Sequence, residues 1–349
     1  MLVQTYFPQR LSPSRYDTYL ASGWFRGSVM LYKMDLLCIE EQIYSVVNIR
    51  LAIEKFSLRK SQRKIIRKVE ENFKVTYGMA SPDEHKERLY QNQKKKFKGF
   101  IHPTLSDYLN SGFVSSVFDT REVCVYDGDK LIAVSFFDKG ETALASLLGL
   151  YDESYSTYSL GVYTMLKEIE FGQKQEMKWY YPGYVLDRPS QFNYKLKLGE
   201  FEYYNSNMRW SKYANFTPSE TKSYFLRSKL DEVKEMLDSM NKKSHLALYP
   251  LFSMGYIGYW NAEFVKFPGF YVIENKLKND EKTIISYDLD QEAFTIMNVV
   301  PAPTYEHLVN MEASGEFQNT DNYMMKLMMV SEHLCISPEL DTLKIFLDE

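Results

Sequence analysis

Two stretches decide how the chain is read: Tyr158-Ser-Leu-Gly-Val-Tyr-Thr-Met-Leu-Lys-Glu-Ile-Glu-Phe171 and, just after it, Lys178-Trp-Tyr-Tyr-Pro-Gly-Tyr184. A Ser-Leu-Gly turn that opens an amphipathic helix gathers free backbone N–H groups and a positive dipole end at one spot. Such a spot suits an anion, or a carbonyl becoming an oxyanion. Apolar strands are expected on both sides of this helix, 114–137 upstream and 179–185 downstream, so its start is expected beside a sheet opening. Ser159 and Gly161 are therefore the expected reaction centre.

The composition is that of an ordinary globular chain, 45% apolar and 25% charged over 349 residues, long enough for two domains. Aromatic content stands out at 15%, with 28 Tyr and 22 Phe, more than a core demands and compatible with stacking on bases or peptides. A net charge of −4 excludes a coat of basic charge but not a local basic face. Cys38, Cys124 and Cys335 are odd in number and far apart, which predicts neither a disulfide framework nor a metal knuckle and suits a reducing compartment. His85, His102, His245, His307 and His333 show no metal or triad spacing. With no apolar run of about 18 residues, and no basic segment leading into an apolar one at the start, the chain is expected in the cytoplasm, without a membrane span or signal peptide.

Segment 55–74 alternates cations with apolar residues at helical spacing, placing Lys60, Arg63, Lys64 and Arg67 on one face. A second helix, 82–97, ends in Lys94-Lys95-Lys96. A solvated helix face is the simplest role for either patch; two in an acidic chain suit a phosphate-binding surface. From 112 onward short apolar runs predict strands at 114–118, 122–126, 131–137 and 143–151, with Asp127-Gly128 as a hairpin turn. A strand at 179–185 and a helix around 188–195 follow the Ser-Leu-Gly helix. The predicted class is α+β: a mixed sheet with flanking helices in the acetyltransferase-like (GNAT) layout, preceded by a small N-terminal subdomain.

The residues also carry a family pattern. Ser22-Gly-Trp-Phe-Arg26, Tyr32, Asn48-Ile-Arg-Leu51, Phe56 and Ser61-Gln-Arg-Lys64 occur in order, then Leu131-Ile-Ala-Val134, Asp138 and Tyr151-Asp152. Ser159-Leu-Gly-Val-Tyr163, Glu168-Ile-Glu170, Gly183-Tyr184 and Tyr194-Lys195 complete it. In order and spacing over about 15–205 the chain resembles the arginyl- and leucyl-tRNA-protein transferases. It departs from them where their cysteine cluster shrinks to Cys38, where Phe25 replaces an Arg, where Glu153 replaces a Pro, and where Pro182 replaces a Leu.

The resemblance implies aminoacyl transfer from charged tRNA, arginine favoured and leucine next, to the α-amine of proteins beginning with Asp or Glu, marking them for N-degron degradation. The donor ester is already activated, so no cofactor or metal is implied. Ser159, Gly161, Tyr163 and Tyr184 are the implied catalytic positions. Trp24, Arg26, Arg50, Arg121, Asp152, Glu168, Tyr194 and Lys195 are the implied substrate contacts, and Lys60, Arg63, Lys64, Arg67, Lys95 and Lys96 the implied tRNA contacts. Tyr163 and Tyr184 could equally be core, Glu168 could flank its helix, and Lys195 could lie at the surface. Replacing Arg26 or Lys195 by Ala is expected to weaken transfer without unfolding the chain. Two alternatives remain: an acyl-coenzyme A acyltransferase, which lacks its glycine-rich loop here beyond Gly161, and a catalytically silent tRNA or peptide binder.

Beyond about 205 the pattern ends. Helix 218–241, strands at 246–249, 269–273, 282–287 and 293–300, a turn at 279–281 and a Met-rich helix at 323–334 are expected. The expected division is 1–75, an N-terminal subdomain; 76–210, the GNAT-like catalytic domain; and 211–349, a strand-rich extension. Oligomeric state is not legible.

Overall fold

A computed structural model describes residues 1–113, 116–256, 262–274, 280–308, 312–313 and 322–347. The chain opens with β1 (Val3–Tyr6), α1 (Pro13–Ala21), β2 (Phe25–Gly27), β3 (Met30–Met34), β4 (Leu36–Ile39) and the long β5 (Gln42–Ala52). Ser12 caps α1 by accepting from Arg15 N–H, and Pro13 occupies the first turn, where its missing donor costs nothing.

Next come α2 (Lys60–Glu70), β6 (Lys74–Met79), α3 (Glu84–Gln93), β7 (Phe100–Ile101), α4 (Leu105–Asn110), β8 (Thr120–Asp127), β9 (Lys130–Lys139) and β10 (Ala143–Tyr151). Helix α5 (Leu160–Lys174) crosses back to β11 (Trp179–Tyr181), β12 (Tyr184–Leu186), β13 (Glu202–Tyr204) and β14 (Trp210–Lys212). The large sheet runs β14-β13-β5-β11-β10-β9-β8-β6, with β4 and β12 also pairing with β5. Its pairs are antiparallel except β10 with β11, which is parallel. This is the mixed α+β sheet expected, and the hairpin at Asp127-Gly128 forms as predicted, with Asp127 opposite Lys130.

The sheet is split. β11 pairs with β10 only from Trp179 to Tyr181. Pro182 has no N–H to give a ladder, and Gly183 takes φ +90°, so the chain bends away and continues as β12 along Asn48–Val46 of β5. β10 meanwhile carries a bulge between Ser146 and Leu148 and goes on with β9 alone. The expected strand 179–185 is thus broken at Pro182-Gly183, and the break opens a cleft.

Other expectations change. Residues 116–119 are irregular, while 114 and 115 lie outside the described residues. The helix around 188–195 is a 3-10 turn, Gln191–Lys197, started by Ser190. The helix over 55–74 shortens to α2 because β6 begins at Lys74.

The tail holds α6 (Lys222–Ser239), β15 (Ser244–Leu248), β16 (Gly269–Ile273), β17 (Lys282–Asp288), β18 (Ala293–Pro301), β19 (Glu312–Ala313) and β20 (Met328–Ser337). Its antiparallel sheet runs β15-β16-β17-β18-β20. The expected Met-rich helix is largely strand instead, because Met328 and Met329 complete the ladder on Pro301 and Val300 and tertiary pairing outweighs the local propensity. The turn at 279–281 falls partly outside the described residues. Leu226, Leu230, Val233 and Leu237 form the buried stripe of α6, packed with Leu36, Ile43 and Leu186 on one side and Phe270 and Ile285 on the other. Asp187 fastens the junction, accepting from Ser45 N–H at 3.0 Å, from Thr221 at 3.2 Å and from Ser223.

Candidate active site

The cleft of about 220 Å³ lies where β10 and β11 part, between Ala145–Leu147 and Tyr181–Tyr184. Trp24, Phe25, Tyr108, Phe192 and Trp210 wall it, and Asn48 and Lys195 add polar groups. No tail residue lines it among those described, although the cleft residues Tyr184 and Phe192 pack against the core shared with the tail.

Four expected site residues meet here: Trp24, Arg26, Tyr184 and Lys195. Lys195 donates to the Tyr184 carbonyl at 3.1 Å, and its Nζ sits 5.4 Å from the ring centres of Tyr184 and Phe192. Burial among those rings disfavours the charged form and lowers the Lys195 pKa to about 8. Gly183 makes room for it: a Cβ there would stand 3.3 Å from Nζ in a backbone conformation that L residues avoid. Burial likewise pushes the Tyr184 hydroxyl up to about 12, so it stays neutral.

Arg26 forms the floor. Its guanidinium donates to Ser28 O at 2.7 Å, Thr120 Oγ1 at 2.6 Å, Asp138 Oδ1 at 2.6 Å, Leu109 O and Asn110 Oδ1. Tyr16 and Thr120 donate to the same Asp138 carboxylate, at 3.0 and 2.7 Å. These bonds engage the donors of Arg26 within the protein, so its role here is to hold the wall.

Arg50 lies beside the cleft, its guanidinium stacked 3.6 Å from the Trp179 ring centre and 4.3 Å from that of Trp210, and paired with Glu202 at 2.7 Å. That clamp fixes Trp210 as a cleft wall.

The Ser-Leu-Gly turn is elsewhere. Ser159 takes φ +54° and makes no side-chain cap, although its carbonyl accepts from Tyr163 N–H. Gly161 packs toward Tyr151, and Tyr163 is fully buried with its hydroxyl 3.5 Å from Glu70. None of the three lines the cleft. Arg121 is held by Asp119 at 2.6 Å and Asp152 by Lys130 at 2.7 Å, both outside it.

Glu168 is fully buried and also off the cleft wall. It sits on the sheet side of α5, where Ser135 from β9 and Tyr180 from β11 donate to it, the latter at 2.7 Å, and Ser146 from β10 lies against it. Desolvation pushes its pKa up to about 7, against the pull of these hydroxyls. Tyr194 is half-exposed, with Glu168 and Tyr151 as neighbours.

The cations of α2, Lys60, Arg63, Lys64 and Arg67, are exposed, as are Lys95 and Lys96. Both patches border one loop: Lys68 donates to Thr157 O at 3.0 Å, and Lys96 pairs with Glu153. One lysine from each patch thus touches the loop 153–158.

Sequence reading missed Asn48, Ser146, Tyr180 and Trp210 as site residues. The signal for Ser146 was a polar residue inside the apolar run 143–151. Asn48 gives its Nδ2 to Gly23 O at 2.6 Å, leaving a buried Oδ1 without a partner among the described residues.

Residues 77–205 match the family described as arginine-tRNA-protein transferase, C terminus. The chain is similar to proteins named aspartate/glutamate leucyltransferase. One from Campylobacter jejuni is 24% identical over 188 residues, covering 48% of this chain and 74% of that protein. One from Vibrio vulnificus is 24% identical over 206 residues, covering 56% and 82%. Among solved structures, L-PGS from Bacillus licheniformis aligns with a TM-score of 0.32 at 9% identity, over 44% of this chain and 52% of that one. A fungal glucosamine N-acetyltransferase region related to GCN5 aligns at 0.29 and 11%, over 59% and 23%.

Proposed function

We propose that the chain is an aminoacyl-tRNA-protein transferase, as its match to that family and its similarity to named leucyltransferases suggest, and that it moves leucine from charged tRNA to the α-amine of proteins beginning with Asp or Glu. One observation carries the choice of leucine. The cleft wall combines apolar and aromatic side chains with the Lys195 ammonium, and among the described residues it holds no Asp or Glu. An arginyl side chain would enter without a counter-ion, at a cost of several kcal/mol. A leucyl side chain meets Trp24, Phe25, Leu147 and Trp210. The names of the relatives agree with leucine, whereas the sequence resemblance alone favours arginine.

Lys195 is the cation for the acceptor's acidic first side chain, and Asn48 Oδ1 is the acceptor for an N–H of a bound amine. The ester is activated, so holding its carbonyl against the amine in a cleft shielded by aromatic rings supplies much of the rate. The two basic patches at the loop 153–158 supply phosphate contacts, with Lys60, Arg63, Lys64, Arg67, Lys95 and Lys96 as the groups to test. Proteins so modified are marked for degradation.

The test is to mix the protein with labelled leucyl- or arginyl-tRNA and peptides beginning with Asp, Glu, Lys or Ala. Transfer of leucine to the acidic peptides is expected. Arginine transfer alone overturns the donor assignment, and transfer from neither overturns the reaction.

A further inference from the structure

Glu168 accepts from Ser135 on β9 and from Tyr180 on β11, and Ser146 on β10, the strand between those two, is the third hydroxyl near it. A carboxylate with no solvent contact is normally matched by a cation. Among the described residues no ion pair involves Glu168; Lys167 next to it turns outward to Glu70 and Glu170. Of its three hydroxyl neighbours, Ser135 and Tyr180 are buried, but Ser146 is partly exposed and lines the cleft where β10 and β11 part. One hydroxyl thus sits between the cleft and a buried carboxylate. If Glu168 only stabilised the core, a plain apolar residue would do so at lower cost.

We infer that Ser146 and Glu168 form a proton relay for the transfer, Ser146 meeting the reacting amine and Glu168 holding its proton out of reach of water. The inference rests on the proposed reaction. The amine nitrogen attacks the ester carbonyl carbon and the C–N bond forms. One N–H proton passes to Ser146 Oγ while the serine's own proton passes to the Glu168 carboxylate. On collapse the bond to the ribose oxygen breaks, its electron pair stays on that oxygen, and the proton returns through Ser146 to it. An amide and a free tRNA hydroxyl result, and no further reactant is required. A carboxylate poised near neutrality is suited to both halves of this exchange. The groups facing it are Ser135, Ser146 and Tyr180 on the sheet and Tyr194 on the turn before β13, so among the described residues no cation faces it.

The experiment measures kcat, KM and charged-tRNA binding against pH for the full chain and for Ser146→Ala, Glu168→Gln and Ser135→Ala, with a melting curve for each. The wild-type kcat is expected to rise through neutral pH. Ser146→Ala and Glu168→Gln are expected to lose about 100-fold in kcat and the rising limb, with tRNA binding retained. Ser135→Ala removes a donor to the carboxylate and leaves the relay, so its limb moves to higher pH. A limb that survives unchanged in Glu168→Gln overturns the relay, as does wild-type kcat in Ser146→Ala, which decides the matter even where Glu168→Gln does not fold. A wild type that transfers from no charged tRNA overturns the proposed function instead, since failure of the relay is read only against an active wild type.

Discussion

Arg26 stands 2.6 Å from Asp138 Oδ1, and both side chains are sealed from solvent. A buried pair of this kind adds little net stability, but losing one member strands the other charge. The expectation that Arg26→Ala would impair transfer without unfolding is therefore revised. The substitution is expected to cost about 3–5 kcal/mol, read as a lower urea midpoint before any activity is measured. Arg26→Met with Asp138→Leu should recover much of that loss.

Lys195 carries its charge below its pKa of about 8 and loses it above. KM for Asp- and Glu-initiated peptides is expected to climb as pH rises through that value, while KM for charged tRNA stays level. Lys195→Met should raise the acidic-peptide KM about tenfold, equivalent to about 1.4 kcal/mol, and abolish the pH dependence. Steady-state kinetics with Asp and Ala peptides side by side check it.

Glu168 gives a stability prediction independent of turnover. Its folded pKa is raised from 4.5 to about 7, so the proton is held more tightly in the folded state. The resulting stabilisation is complete below 4.5 and is lost as pH rises through 7. Relative to wild type, Glu168→Gln should gain of order 3 kcal/mol between those limits. Denaturant melts at a series of pH values would show the two curves parting, and parallel curves would refute the shift.

The α2 cations are expected to act on tRNA mainly through their charge. Arg63→Ala with Lys64→Ala is expected to weaken charged-tRNA binding and reduce the slope of log affinity against log salt by roughly 2. Stability should change by less than about 0.5 kcal/mol, because both side chains are exposed.

Much of the architecture was legible in the chain, because it is written in local signals. Asp127-Gly128 announced its hairpin, and short apolar runs gave β8 to β10. The Ser159 turn was read correctly as the start of a helix, but its expected place beside the sheet opening is corrected, since it lies off the cleft wall. The deciding events are non-local: the bend at Pro182-Gly183 matters only because β12 finds Asn48 on a strand far back in the chain. Arg26 shows the same limit. Its motif marked it as important, yet only the approach of Asp138, Leu109 and Asn110 reveals that its donors are spent inside the fold. Glu168 and Ser146 did leave a trace, each a polar residue on an apolar stripe, which is where burial makes a polar group expensive.

Strand β5 threads two cores. Ile43 and Tyr44 lie in the core shared with the tail, while Val47, Ile49 and Leu51 lie in the core beneath α5. The same strand carries Asn48, which lines the cleft. Folding is consequently cooperative along its length: neither half can be completed until β5 is seated, and removing the tail unseats its first residues. Heat should melt the chain in one transition rather than two. A molecule gripped at Asn48 should slow amide hydrogen exchange in β16 and β17, at the far side of the tail's core, although it touches neither.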